Sequence, residues 1–371
     1  MSVILKELQL HNFRNHHFFS IQQPQQLIII IGKNAAGKTN IIEAVQLTTM
    51  LESFRCPHWS TVVKDNREAA VIKAEFLQNE RSLEVQMNVE EGKRSYFLNG
   101  KKKNRFDLIG LNPAVVFVPD DLTLVKDSAE VRRKLIDDTG QQLSPTYLRI
   151  WADYQKTVKQ RNAILKEHFD TSPELPLLES WDENLIILGA LLFIHRIKLY
   201  RRYMEKVGQY YQQISDNELF SSRYIPSFSE PGADLLDEAL LNMDKEEVEE
   251  QLQKTLETVR EKEWIRTKTL VGPHRDEIIF YIDGLEARKF ASQGQQRSIA
   301  LALKLGQLAL IKEISGNQPI LLLDDVMSEL DESRREALIK AIDGQIQTII
   351  TATDLSCFNE SLLQSAQIIE L

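Results

Sequence analysis

The stretch that decides the fold is Gly32-Lys33-Asn34-Ala35-Ala36-Gly37-Lys38-Thr39. It fits the pattern G-x-x-x-x-G-K-[ST], in which a glycine-rich loop surrounds phosphate groups. The unbroken aliphatic run at 27–31 comes before it and predicts a strand that is covered on both faces. Residues 39–45 follow it and predict a helix. Because a phosphate loop requires this strand–loop–helix context, the sequence predicts a nucleotide-binding α/β fold.

The loop has a specific expected chemistry with ATP and Mg²⁺ as cofactors. Its backbone N–H groups and the start of the following helix would surround phosphate oxygens. Lys38 would reach the β- and γ-phosphates, and the Thr39 hydroxyl would bind Mg²⁺. The expected nucleotide-binding residues of this segment are Gly32, Lys33, Asn34, Ala35, Ala36, Gly37, Lys38, Thr39 and Asn40.

An acidic motif much later in the chain supplies the partner that a phosphate loop needs. Four aliphatic residues at 320–323 are followed by Asp324 and Asp325. We expect Asp324 to bind the Mg²⁺ shell and Asp325 to orient or deprotonate the attacking water. Lys38, Asp324 and Asp325 are therefore the expected catalytic residues. A strand that merely ends in solvated acids is the alternative.

The segment 291–297, Ala-Ser-Gln-Gly-Gln-Gln-Arg, resembles the signature loop of ATP-binding-cassette ATPases. Ser292 can offer a hydroxyl, Gly294 allows close backbone approach, and a helix starting near Gln295 points its dipole at a γ-phosphate. In that family, two subunits pair with two-fold symmetry, and each signature loop completes the nucleotide site of the other. An ordinary helix N-cap is the alternative for this pattern.

The order of predicted elements indicates two lobes. Short alternating strands at 71–98, followed by the turn residues Asn99-Gly100, predict an antiparallel sheet. Residues 144–268 are predicted to be helical, in helices of about 20 to 30 residues at most. A hairpin is predicted at 278–290. We therefore expect an ATPase lobe I from 1–118 plus 297–371, with a mixed sheet assembled from both termini, and an inserted, mainly helical lobe II at 119–296 that carries the signature motif.

Composition narrows the possible functions. The chain has 371 residues, 43% hydrophobic and 27% charged, as expected of a soluble globular protein. It contains neither an apolar run of membrane-spanning length nor a signal-peptide pattern. Cys56 and Cys357 lie far apart, which favours a reducing cytoplasm. The net charge of −9 argues against a passive nucleic-acid coat, so any DNA contact would be confined to one basic face.

Several segments together resemble the RecF family, the bacterial recombination mediators. These segments are 8–15, 37–44, 117–122 with Arg132 and Arg133, 272–276, 292–297 and 322–331. The resemblance covers essentially the whole chain. The sequence departs from the family at Ala35, where glycine is usual, and at Asp127 and Ala129, which replace a glycine and a proline. Asp325 stands where most cassette ATPases have glutamate, and threonines 351 and 353 stand where many have histidine.

This resemblance implies a role in DNA repair, recombination and replication, including the SOS response. Members form ATP-dependent homodimers on double-stranded DNA and at single-strand gaps, and with RecR and RecO they help to load RecA. It further implies a slow, DNA-stimulated ATPase that acts as a switch, in the cytoplasm and at the nucleoid. Arg14 would reach the nucleotide, with a structural ion pair as the alternative.

The expected DNA contacts form a basic patch around the Asn99-Gly100 turn: Lys93, Arg94, Lys101, Lys102, Lys103 and Arg105. A hairpin edge kept soluble by lysine is the alternative. Arg196, Lys198, Arg201 and Arg202 are a weaker candidate, for which snorkelling of the side chains or ion pairing is favoured. A nucleotide-switched structural regulator of chromosome or replication complexes is the alternative function. A small-molecule kinase would leave the signature segment unexplained.

Overall fold

The computed structural model describes residues 2–55, 58–64, 67–78, 80–167, 175–215, 217–229, 237–342 and 344–371. Cys56 lies outside them. The strands are β1 Ile4–Phe13, β2 His16–Gln22, β3 Leu27–Ile31, β4 Ala69–Gln78, β5 Arg81–Glu90, β6 Lys93–Leu98, β7 Lys101–Lys103, β8 Ala114–Phe117, β9 Phe220–Ile225, β10 Glu277–Ile282, β11 Leu285–Glu286, β12 Ile320–Asp324, β13 Thr348–Ala352 and β14 Gln367–Glu370. The helices are α1 Lys38–Thr49, α2 Ala129–Leu143, α3 Pro145–Glu167, α4 Leu175–Ile214, α5 Asp237–Asn242, α6 Lys245–Arg266, α7 Ala287–Phe290, α8 Gln293–Ser315, α9 Glu332–Ala341 and α10 Glu360–Ser365.

The chain divides into two compact units. The first contains residues 1–123, 209–216 and 297–371, and the second contains 124–208 and 217–296. The first unit therefore includes the end of α4, which the predicted division had assigned to lobe II. The domain boundaries after residues 118 and 296 stay a prediction.

A parallel sheet forms the centre of the first unit. Its strand order is β14-β3-β13-β12-β8, and every neighbouring pair is parallel. The aliphatic side chains of β3 and β12 are almost completely buried, as expected for strands covered on both faces. Because β3, β13 and β12 run in the same direction, their carboxyl ends lie at one edge of the sheet. This edge carries the phosphate loop and the two aspartates.

A six-stranded antiparallel sheet, in the order β2-β1-β4-β5-β6-β7, completes the first unit and confirms the sheet predicted for 71–98. Its edge strand β2 was not predicted, because half-exposed edge strands lack a clear alternation of apolar and polar residues. Strand β1 ends at Phe13 and β2 begins at His16, so the turn between them consists of Arg14 and Asn15.

The second unit is mainly helical, with a three-stranded sheet in the order β11-β10-β9. Two sequence predictions for this region are wrong. Helix α4 runs from Leu175 to Ile214 and has 40 residues, which is longer than the predicted limit of about 30. The second strand of the hairpin ends at Glu286, and α7 replaces its predicted continuation to Phe290.

Charged side chains are buried inside the second unit. The Arg161 guanidinium contacts Asp182 and Glu263 at 2.6 Å each. Arg196 forms a two-pronged ion pair with Asp137 at 2.9 Å and is 1% exposed. For Arg196, the favoured ion-pair interpretation is therefore confirmed. In the described part of the chain, no helix combines the length and the apolar character needed to span a bilayer.

Candidate nucleotide-binding and catalytic site

The phosphate loop connects the carboxyl end of β3 to the first residue of α1. Its backbone bends sharply: Ala35 has φ 68° and Gly37 has φ 108°. Residues other than glycine adopt the left-handed conformation at an energetic cost, and Ala35 therefore carries this cost. A Cβ atom at Gly37 would lie 2.5 Å from His16 Nε2 and 2.7 Å from the Asn15 amide. Only glycine fits this position.

Lys38 lies at the N-terminus of α1 and is 7% exposed. Its ammonium donates hydrogen bonds to the carbonyl oxygens of Gly32 at 2.5 Å and Lys33 at 3.2 Å. The Lys38 side chain therefore turns back toward the start of the phosphate loop, and its ammonium group lies against the loop carbonyls. This placement suits a cation that binds phosphate oxygens.

The two aspartates lie beside the loop at the carboxyl end of β12. Asp324 accepts a hydrogen bond from the Thr351 hydroxyl at 2.8 Å. Burial raises the pKa of Asp324, and hydrogen bonds from Thr351 and Thr39 oppose that rise. Thr39 and Asp324, which were predicted to share Mg²⁺, thus lie close enough for the Thr39 hydroxyl to influence that carboxylate.

Asp325 has a special backbone conformation, with φ 54°. Its N–H donates to the Thr351 hydroxyl at 3.0 Å, which holds the residue in the left-handed region. Among the described residues its buried Oδ1 atom has no hydrogen-bond partner. Burial raises the pKa of Asp325, and the Lys38 charge opposes the rise. An acceptor of this kind is available to a water molecule.

The oxygen ligands at this edge suit Mg²⁺ with a nucleotide. Mg²⁺ is usually held by one or two protein oxygens together with phosphate oxygens and water. The Thr39 hydroxyl and the Asp324 carboxylate supply two such atoms. Within the described ranges, no group of three or more His, Cys, Asp or Glu side chains could hold a metal ion by itself. The set therefore fits a metal completed by the nucleotide.

Three neighbouring residues that support the site were not predicted as functional. Asn15 and His16, in and after the β1–β2 turn, hydrogen-bond the carbonyls of the phosphate loop. Thr351 contacts both aspartates. These residues lie far from the motifs in sequence, and no local pattern shows that they meet. Asn15 belongs to segment 8–15 of the family resemblance, which assigned no role to its side chain.

Arg14 is engaged in an ion pair within the first unit. Its guanidinium donates to both oxygens of the fully buried Glu43, at 2.9 and 2.6 Å, and to the Thr61 carbonyl at 3.0 Å. The structure thus shows the structural ion pair, which was one of the two alternatives. Contact between Arg14 and nucleotide stays a prediction.

The signature segment belongs to the second unit. Helix α8 begins at Gln293, two residues before the expected start. The Ser292 hydroxyl accepts from the Gln295 N–H at 3.2 Å, and the Gln295 side chain accepts from the Ser292 N–H at 2.7 Å. Gln295 also donates to Glu218 at 2.8 Å. Ser292 is therefore an exposed N-cap, and a role for Ser292, Gly294 and Gln295 at nucleotide stays a prediction.

The six cations of the predicted DNA patch do not share one face. Alternate residues of a strand point to opposite sides of a sheet. By register, Lys101 and Lys103 lie on the side of Tyr96, whereas Lys93 and Lys102 lie on the other side. All four lysines are exposed.

The two arginines of this patch have partners in the first unit. The Arg94 guanidinium stacks 4.0 Å above the Trp59 ring, and Arg105 forms an ion pair with Glu52. The lysines are therefore the better candidates for phosphate contact, and DNA contact by any of the six stays a prediction.

Comparison with known proteins identifies the family. The family described as "RecF/RecN/SMC N terminal domain" matches residues 4–369. The DNA replication and repair protein RecF of Synechococcus sp. (strain JA-3-3Ab) is 37% identical over 371 residues, which cover 99% of this chain and 96% of the relative. The chain belongs to the RecF family. RecF of Oceanobacillus iheyensis is 33% identical, covering 98% of this chain and 97% of the relative.

Solved structures agree with this assignment. The recombination mediator protein RecF-ATPrS in the RecFOR pathway superposes with a TM-score of 0.88 at 30% identity, covering 96% of this chain and 94% of that one. The corresponding RecF-ATP structure gives 0.85 at 31% identity. The Smc head domain of Pyrococcus furiosus gives 0.52 at 14% identity and shows a shared fold only. The predicted fold class, a cassette-type ATPase head with a helical insertion, is confirmed.

Proposed function

We propose that this RecF-family chain is an ATP-dependent DNA-binding recombination mediator, whose dimer closes on ATP and opens after slow hydrolysis. The observation that carries the proposal is the edge of the parallel sheet, where Lys38, Thr39, Asp324 and Asp325 lie together. The similarity to the solved RecF-ATPrS and RecF-ATP structures supports the choice of nucleotide.

The chemistry at this edge divides among a few side chains. Lys38 and the loop N–H groups bind the phosphates, and Thr39 and Asp324 hold Mg²⁺, which would neutralise phosphate charge when bound. Asp325 Oδ1 accepts a proton from, or orients, the attacking water. Aspartate is one methylene shorter than the glutamate usual in cassette ATPases, and this shorter reach is consistent with slow turnover.

The second half of the nucleotide site comes from another copy of the chain. The exposed Ser292 N-cap presents the positive end of a 23-residue helix, and Gly294 leaves room for close approach by phosphate. In a two-fold dimer, the Ser292 loop of each copy would meet the phosphate loop of the other. ATP would therefore bridge the copies and stabilise the closed dimer.

The dimer would bind double-stranded DNA and single-strand gap junctions through exposed lysines. Lys93, Lys101, Lys102 and Lys103 can neutralise phosphates without reading sequence, so binding would weaken as salt increases. The chain would act with RecR and RecO in loading RecA, in the cytoplasm at the nucleoid. DNA would accelerate hydrolysis, which releases the dimer.

The test is the molar mass in solution, measured by light scattering with and without ATP–Mg²⁺. We expect ATP to double the molar mass of the wild type and to leave the molar mass of Ser292→Arg unchanged. The larger, charged arginine side chain would block the contact between the two copies. Ser361→Arg, on exposed α10, is the matched control and should dimerise normally. A molar mass of the wild type that does not change with ATP, or normal dimerisation of Ser292→Arg, would contradict a nucleotide site formed by two copies of the chain.

A second measurement separates the switch from a structural regulator in which turnover is incidental. Residence time on DNA is compared for the wild type, Lys38→Arg and Asp325→Asn. The switch requires Asp325→Asn to remain on DNA longer, because it binds ATP but hydrolyses it poorly. If neither variant changes the residence time, the switch mechanism is wrong.

A further inference from the structure

The turn between β1 and β2 lies directly against the phosphate loop. The Asn15 side-chain amide donates to the carbonyls of Ala36 at 3.1 Å and Ala35 at 3.4 Å. The Asn15 side-chain oxygen accepts from Asn40, in the first turn of α1, at 2.7 Å. His16 Nε2 donates to the Gly37 carbonyl at 3.2 Å. Three consecutive carbonyls of the loop are therefore fixed by two adjacent side chains.

Fixing these carbonyls also fixes the N–H groups of the loop. A trans peptide is planar, so each C=O points opposite to the N–H of the next residue. With the carbonyls of Ala36 and Gly37 turned toward the Asn15–His16 pair, the N–H groups of Gly37 and Lys38 point to the other side. That is the orientation in which backbone N–H groups can bind phosphate.

The loop needs such support because its own backbone does not favour this shape. Ala35 has φ 68°, a left-handed conformation that disfavours alanine. The supporting turn is itself anchored, since the Lys64 ammonium donates to the Asn15 carbonyl at 2.9 Å. Burial and the nearby Lys64 charge lower the pKa of His16, so the ring is neutral and its Nε2–H is the donor.

We infer that Asn15 and His16 are positioning residues that hold the phosphate loop in its nucleotide-binding shape before nucleotide arrives. The inference rests on the proposed binding of ATP by this loop. Removing either side chain leaves the loop free to relax, so part of the binding energy must be used to order it. Because ATP and ADP both occupy the loop, their affinities should fall by the same factor. Turnover at saturating ATP should not change.

The experiment measures ATP and ADP binding to the full chain by calorimetry, together with turnover at saturating ATP. We expect Asn15→Ala and His16→Ala each to weaken both nucleotides about 5- to 30-fold, the effect of losing one or two hydrogen bonds. Turnover should stay within about twofold of the wild type. His16→Gln should recover most of the loss, because its amide N–H can reach the same carbonyl.

Asn359→Ala is the matched control, since it removes an N-cap hydrogen bond of α10 without touching the loop. It should lower the stability of the fold and leave nucleotide affinity unchanged. Unchanged affinity in both alanine variants, a loss of turnover without a loss of affinity, or no recovery in His16→Gln would overturn the inference. Failure of the wild type to bind ATP would instead overturn the proposed function.

Discussion

The two compact units use charge in different ways. In the first unit, the parallel sheet has an aliphatic core, and charged side chains gather at its carboxyl edge, where Asp325 Oδ1 remains without a partner among the described residues. In the second unit, Arg161 and Arg196 are almost completely buried and form ion pairs with carboxylates of the same unit. Charge placed at an edge remains available to a ligand, whereas charge placed in a core is used to hold helices together.

The largest expected effect comes from breaking the buried network of the second unit. Arg161→Met leaves the buried Glu263 without its cation and leaves Asp182 with Arg260 alone, so we expect the free energy of unfolding to fall by about 3 to 5 kcal/mol. Urea unfolding followed by tryptophan fluorescence measures this, because three of the four tryptophans, Trp151, Trp181 and Trp264, lie in that unit.

Arg201→Met is the control for this experiment. It removes an exposed ion pair with Glu205, four residues further along α4, and should cost no more than about 0.5 kcal/mol. Equal losses of unfolding free energy in the two variants would show that the buried arginine contributes no more to stability than the exposed one. The contrast drawn above between charge in a core and charge at an edge would then be wrong.

The corresponding change in the first unit should remove activity and leave the fold intact. Lys38→Met removes the cation of the phosphate loop, and we expect ATP turnover to fall by about 100-fold or more, as for other groups that stabilise transition-state charge. Unfolding midpoints should stay close to the wild type. Lys340→Met, on exposed α9, should turn over ATP normally. A large loss of stability in Lys38→Met would mean that this charge is also structural.

A pH titration sharpens the description of the second unit. Burial, and then the Arg275 charge, lower the pKa of His274 to about 3, and its ring is hydrogen-bonded to Tyr154 at 2.6 Å. The unfolded chain takes up this proton near pH 6.5, before the folded one does. The stabilising contribution of His274 is therefore complete above about pH 6.5 and is lost progressively as the pH falls toward 3.

His274→Asn removes this titration. Between about pH 7.5 and about pH 5.5, the free energy of unfolding of the wild type should fall more steeply than that of the variant, by up to about 1.4 kcal/mol per pH unit below 6.5. Parallel pH profiles for the two proteins would contradict a neutral, buried His274.

The smallest expected effect concerns the strained loop of the first unit. Ala35→Gly relieves the left-handed conformation but makes the unfolded chain more flexible, so the net gain in stability should be at most about 1 kcal/mol. Thermal unfolding measures it. Ala36→Gly, at a position without positive φ, should instead be slightly destabilising. A loss of stability in Ala35→Gly would show that residue 35 does not adopt the left-handed conformation.

Much of the nucleotide site could be predicted because its motifs are continuous in sequence. The motif from Gly32 to Thr39, between an aliphatic run and a helical pattern, predicts a phosphate loop, and the aliphatic run before Asp324 predicts a buried strand. The parallel pairing of β12 with β13 could not be seen in the same way. It depends on register, which brings Thr351 beside Asp324.

The sequence by itself determined the class of fold, the phosphate loop and the identity of the two carboxylates, because local backbone preference and periodicity encode them. Only the tertiary structure decided that Asn15 and His16 hold that loop and that Arg14 pairs with Glu43. It also decided that the four lysines of the basic patch lie on two faces of the sheet and that its two arginines have partners within the first unit. These contacts join residues far apart in the chain, and their geometry follows from strand register and side-chain packing, which no short motif contains.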